Sequence, residues 1–175
     1  MKLIAITGEK RTGKSTLTYG IMDELRKKSF VIDGFLSLSV VEDNELIGFD
    51  LLILSTNQTT PLARKKLNST IKTAQFGFYS EVFDYQNRII QSINKSNKII
   101  FLDEIGILEL KDFGWHNLVL DIKLKEYKGV ILVIRKSCFF ELTKKYNLKY
   151  DLLVDLDSTD ISLEMLKRRV INFLS

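Results

Sequence analysis

The stretch Gly8-Glu9-Lys10-Arg11-Thr12-Gly13-Lys14-Ser15 constrains this chain more than any other. It sets two glycines, a lysine and a hydroxyl residue at fixed spacing between an apolar run, Lys2 to Thr7, and a helical pattern that begins near Lys14. Glycines let the backbone turn tightly, so that successive N–H groups point inward at one place. The helix behind them adds roughly half a positive charge at its N-terminus, aimed at the same place. Such a collar suits a chain of phosphates. Lys14 is placed to reach the β- and γ-phosphates and the Ser15 hydroxyl to ligate Mg²⁺, with Gly8 through Ser15 and Thr16 lining the cradle. The Lys10 and Arg11 side chains could add donors to that cradle or point to solvent, and solvent is the simpler reading.

The rest of the chain reads as strands alternating with helices. Leu17, Ile21 and Leu25 share one helical face, with Lys27-Lys28 near the helix C-terminus, where cations are favoured. Phe30–Val41 and Leu46–Leu54 are β-rich runs around Glu42-Asp43-Asn44-Glu45, a hairpin turn region. Ser55 to Thr60, followed by Pro61, the only proline, reads as a polar connection. Phe76–Phe83 reads as a strand, and Ile89, Ile90 and Ile93 as part of a helix. Ile99–Leu102, Val130–Ile134 and Leu152–Leu156 read as buried strands. Helices are expected over Asp112–Tyr127, Phe139–Tyr146 and Leu163–Phe173. This alternation predicts one domain over residues 1–175: a three-layer α/β fold with a mostly parallel sheet and a hairpin inserted near its edge.

A second constellation follows the predicted strand at Ile99–Leu102, which ends in Asp103-Glu104. In open α/β sheets ligands sit beyond the carboxyl ends of the strands. Asp103 is then placed to hold Mg²⁺ and Glu104 to orient and deprotonate an attacking water. A site that only holds the metal needs the aspartate alone, so the adjacent glutamate points towards hydrolysis.

Composition narrows the alternatives. Cys138 is the only cysteine and His116 the only histidine among 175 residues, which excludes an intrachain disulfide and any zinc site built on cysteines or imidazoles. A metal would need oxygen ligands, which favours Mg²⁺. The formal charge of +4 suits a polyanionic ligand. Lysines such as Lys65-Lys66, Lys123, Lys125 and Lys144-Lys145 are dispersed, so a solvated surface explains them better than a nucleic-acid track, and no aromatic-basic recognition motif accompanies them. No apolar run is long enough to span a membrane and the N-terminus lacks signal-peptide features, so a cytoplasmic location is expected.

The run Asp103-Glu104-Ile105-Gly106-Ile107-Leu108-Glu109-Leu110 resembles the DEIGxxEL signature of small P-loop nucleoside triphosphatases of thermophile type, also called cancer-related nucleoside triphosphatases. Thr7-Gly8 and Gly13 to Leu17 fit the first motif of that family, and Gly34-Phe35 with Gly48-Phe49-Asp50 fit its GF…GFD hairpin. The resemblance implies a P-loop NTPase fold with a RecA-like core. It also implies Mg²⁺-dependent hydrolysis of nucleoside triphosphates, ATP or GTP, with broad specificity. By the same match Gly106 and Glu109 would line the nucleotide site. Read from the residues alone, Glu109 could equally cap the next helix.

The chain departs from the family pattern at several points. Lys10 and Arg11 replace a usual proline and glycine. Ser39-Val40-Val41 and Leu46 stand where an E-V-R-like triplet and an arginine are usual. Asp155-Leu156-Asp157-Ser158-Thr159 stands where an Asn-Arg pair is usual. These departures bear on base recognition and on charge stabilisation during hydrolysis. Arg135, at the end of a predicted strand, is the candidate for the latter, followed by Lys136; a strand-end surface arginine is the competing reading.

Two other functions share the same loop. One is a kinase passing the γ-phosphoryl to a nucleoside, nucleotide or polynucleotide end, although no arginine-rich lid is evident. The other is a nucleotide-binding switch whose hydrolysis has decayed. His116 reads as a surface or packing residue and Cys138 as a small core residue; Phe76, Phe78, Tyr79, Tyr146 and Tyr150 could stack on a base, and packing explains them equally well.

Overall fold

A computed structural model describes residues 1–84, 88, 97–122, 127–158 and 160–175. Its first strand, β1 (Lys2–Gly8), is buried from Leu3 onward. The unbroken apolar run is the signature of a parallel strand covered on both faces. β1 lies between β7 (Gly129–Arg135) and β8 (Leu152–Asp155), and β6 (Lys98–Ile105) lies on the far side of β7. β2 (Val31–Glu42) pairs in parallel with β6, and β3 (Glu45–Ile53), β4 (Gln58–Arg64) and β5 (Gly77–Phe78) continue the sheet as an antiparallel meander. The sheet order is β5-β4-β3-β2-β6-β7-β1-β8, mostly parallel.

Alternating side chains along each strand feed two layers. Leu3, Ala5, Ile100, Leu102, Leu132 and Ile134 pack on one face with Trp115, Leu118 and Leu142. That layer carries α2 (Ile107–Leu110), α3 (His116–Asp121) and α4 (Phe139–Lys145). Ile4, Ile6, Ile99, Phe101 and Ile131 face the other layer, where Leu17, Ile21 and Leu25 of α1 (Lys14–Lys27) meet Leu166, Val170 and Leu174 of α5 (Leu163–Leu174). Ser162 caps α5 by accepting the Met165 N–H at 3.3 Å. The result is the three-layer α/β arrangement expected from the alternation. Because β7 separates them, β1 and β6 end about 10 Å apart, two strand spacings.

The hairpin forms where expected, turning at Asp43 and Asn44, both with φ > 0 (48° and 62°). Three expectations need correction. The presumed connection through Pro61 is instead β4; the proline sits opposite Asp50 beside a register shift, a bulge that spares the ladder a missing donor. Phe76–Phe83 is not one strand, since β5 covers two residues and the chain turns helical at Ser80. The helix expected from Asp112 starts at His116, because Asp112 (φ 63°) and Gly114 (φ 65°) adopt left-handed conformations. The expected helix through Ile89, Ile90 and Ile93 lies outside the described residues, as do Lys123, Lys125 and Thr159. Among the described residues no helix is long and apolar enough to cross a membrane.

Gly34 lets β2 lie against β6. Its φ is +97°, and a Cβ there would collide with the carbonyl oxygen of Phe101. Gly34→Ala is expected to destabilise the fold by about 2–3 kcal/mol, from backbone strain compounded by the collision. Urea unfolding of the two proteins checks this, and an unchanged midpoint would show that β2 adapts.

Candidate active site

β1 delivers the chain to the carboxyl edge of the sheet at Gly8, and the loop Glu9–Gly13 turns it into α1. Arg11 (φ 66°) and Gly13 (φ 95°) take the left-handed conformations that make the turn. Thr12 braces it, its hydroxyl donating to the Glu9 carbonyl at 2.9 Å. The Lys14 ammonium spans the loop and donates to the Gly8 and Glu9 carbonyls at 2.6 and 2.5 Å. Glu9, Lys10, Arg11, Ser15 and Thr16 are exposed around this turn.

β6 brings up the second half of the site. Asp103 is buried, and its carboxylate accepts the N–H groups of Ser37 at 3.0 Å and Glu104 at 2.8 Å. Burial, and then the neighbouring Glu104 charge, push the Asp103 carboxyl up to about 7, against the pull of those two amides and of Lys14. Glu104 follows with φ 57°, which turns its side chain out of the sheet. Its carboxylate meets the Arg135 guanidinium at 3.2 Å, in an ion pair left partly open to solvent. Arg135 ends β7 directly opposite Gly8 of β1, so it stands between the loop and the glutamate. Gly106 packs beside it, with Arg135 Cβ 3.7 Å from where a Gly106 Cβ would sit.

The edge thus gathers Gly8–Thr16, Asp103, Glu104, Gly106 and Arg135. The NTPase family profile matches residues 3–159. The chain is 30% identical to nucleoside-triphosphatase THEP1 of Sulfurisphaera tokodaii over 85% of this chain and 86% of that protein. It is also 30% identical to nucleoside-triphosphatase THEP1 of Sulfolobus acidocaldarius, over 95% and 92%. The chain belongs to the THEP1 nucleoside-triphosphatase family. A solution structure of a human cancer-related nucleoside triphosphatase superposes with a TM-score of 0.76 at 18% identity, covering 100% of this chain and 98% of that one. The crystal structure of THEP1 from Aquifex aeolicus superposes with a TM-score of 0.65 at 22% identity, covering 94% and 96%. These two likenesses concern the fold, and they agree with the three-layer α/β architecture described above.

Within this THEP1 family member, Glu109 sits apart from the open edge. It is buried, and its two carboxylate oxygens accept the N–H groups of Gly106 at 2.7 Å and Trp115 at 2.8 Å. The structure therefore places its carboxylate on main-chain amides, the capping alternative, from where it anchors the turn that follows Glu104. The ammonium of Lys136, the second candidate for charge stabilisation, pairs with Asp155 and lies 3.6 Å from Asp157.

Two residues near the site escaped the sequence reading. Asp157 accepts the Glu9 N–H with both oxygens, at 3.0 and 3.2 Å; its only signal was its place in the departure after the last strand. Tyr19 lies close enough to Asp103 for that charge, after burial, to raise its phenol. Its spacing of four residues from Ser15 puts both on one side of α1, a signal masked by the apolar stripe.

Burial first, against its two amide donors, raises Glu109 from 4.5 to about 7. The folded chain then keeps a proton that the unfolded chain releases from about pH 4.5, so stability falls as pH rises towards 7 and this group adds no slope above it. Chemical unfolding across that range should show the slope in wild type and a flatter curve in Glu109→Gln. Parallel curves would contradict the assignment.

Proposed function

We propose that this chain hydrolyses nucleoside triphosphates, ATP or GTP, to the diphosphate and phosphate with Mg²⁺. Membership of the THEP1 family supports nucleoside-triphosphate hydrolysis in general. The observation that carries the finer reading is the pairing of the Lys14 loop with Asp103-Glu104 at one edge of the sheet, one strand apart.

The residues present fit Mg²⁺. The donors on offer, the exposed Ser15 hydroxyl and the Asp103 carboxylate, are hard oxygens. Among the described residues no group of three or more His, Cys, Asp or Glu side chains could hold a metal. That suits an ion that takes most of its coordination from phosphates and water. Asp103 is raised by burial and by Glu104, so a nearby divalent charge would favour its ionised form. Bound there, Mg²⁺ supplies neutralisation of charge on the phosphate oxygens.

The amides of Lys10 to Ser15 and the first turn of α1 bind the phosphates, and the Lys14 ammonium shifts from its own loop carbonyls to the β- and γ-oxygens. Glu104 orients a water and takes its proton as the water oxygen bonds to the γ-phosphorus. The bond from that phosphorus to the bridging oxygen breaks, and the diphosphate leaves. Arg135 serves the charge spread over the transferring phosphoryl, from its place between Gly8 and Glu104.

The test is phosphate release with Mg²⁺. Lys14→Ala should lose nucleotide binding. Glu104→Gln should keep it while turnover falls by about 10² to 10⁴, the usual worth of a positioned base. Chelation of the metal should stop release. Equal rates in all three proteins would remove hydrolysis from this site, and label passing from the γ-position to an acceptor would make it a kinase.

A further inference from the structure

We infer that Asp157 is a positioning residue of the phosphate loop, and that Lys136 makes its charge tolerable there. The inference rests on the proposed binding of triphosphate by that loop.

The chain leaving β8 is laced to the loop at three successive points. Leu156 N–H donates to the Thr7 carbonyl at 3.0 Å. The Leu156 Cβ lies 3.1 Å from where a Gly8 Cβ would sit, so the backbones run close. Asp157 then grips the Glu9 N–H with both carboxylate oxygens. That bond fixes the peptide plane at the first bend of the loop. The direction of every later amide depends on it, because a polyphosphate is held only when those N–H groups converge.

The grip has an electrostatic cost. It places a carboxylate beside the cradle, with Asp155 next to it, where a triphosphate would bring several negative charges. Lys136 answers both: its ammonium pairs with Asp155 and sits 3.6 Å from Asp157. The cluster is internally organised, since Asp155 also accepts the Asp157 N–H at 3.2 Å and the Ser158 hydroxyl at 2.9 Å. Lys136 is thus spent on the two aspartates, and its influence on an anion in the loop passes through them.

Acceptor and charge can be separated by substitution. Asp157→Asn keeps an acceptor oxygen for Glu9 N–H without the charge; Asp157→Leu keeps neither. Lys136→Met removes the compensation. Dissociation constants would be measured by calorimetry for Mg·ATP and for inorganic tripolyphosphate, which has no base, alongside thermal midpoints. Asp157→Asn should bind Mg·ATP like wild type, and Asp157→Leu about tenfold more weakly, the loss of one charge-assisted hydrogen bond. Lys136→Met should weaken binding by a similar factor, and adding Asp157→Asn to it should recover most of the loss. Tripolyphosphate should follow the same order.

Equal binding by the Asn and Leu variants would overturn the positioning role, whatever their thermal midpoints. Failure of Asp157→Asn to rescue Lys136→Met would mean that Lys136 touches the phosphates itself. An effect seen with ATP and not with tripolyphosphate would move Asp157 to the base. Wild type that binds neither ligand would instead sink the functional proposal.

Discussion

Parallel strands covered on both faces leave charge nowhere to go except their ends. β1, β6 and β7 are buried along almost their whole length, and the main-chain ladder uses their in-plane polar groups. Burying an unpaired charge among Ile4, Phe101 or Val133 would cost several kcal/mol. The charged groups therefore collect at the carboxyl edge, where the strands stop: Lys14 after β1, Asp103 and Glu104 in the last residues of β6, Arg135 and Lys136 at the end of β7. The same packing that stabilises the sheet thus concentrates its reactive groups along one line.

Three carboxylates near that edge have been given different environments. Asp103 is buried against two amides, with a second negative charge alongside. Glu104 is turned outward by its left-handed backbone and meets a guanidinium in partial contact with water. Glu109 is sealed in, and both its oxygens are occupied by backbone donors. In the proposed hydrolysis the first two surroundings would serve a cation ligand and a base that reaches a water, while the third holds a structural brace. The turn at Gly106 links them, since Glu109 holds the Gly106 amide and so limits where the Glu104 backbone can go.

Much of this was legible from residue order. The loop, the hairpin, the buried strands and the acidic pair each depend on local patterns: glycine spacing, alternation, an apolar run closed by charge. The residues that were misread depend on non-local partners. Pro61 reads as a break, and only the bulge opposite Asp50 makes it tolerable in β4. The start of α3 is decided by Gly114 and by the Glu109 carboxylate, six residues upstream, on the Trp115 amide, not by helical periodicity. Asp157 is 148 residues from the amide it holds, and no spacing rule connects them.

The gap of one strand between the loop and Glu104 has a geometric consequence. β7 ends at Arg135, Lys136 opens the turn that follows it, and the two neighbours part company. Arg135 reaches towards β6 and pairs with Glu104; Lys136 reaches towards β8 and pairs with Asp155. A dipeptide at the end of the intervening strand therefore touches both halves of the site. Loop and glutamate lie too far apart for a direct bond, yet each is held by a neighbour of the same peptide unit, one directly and the other through Asp157. The parallel register of Gly8 with Arg135 thus sets the site's electrostatics as well as the sheet's alignment.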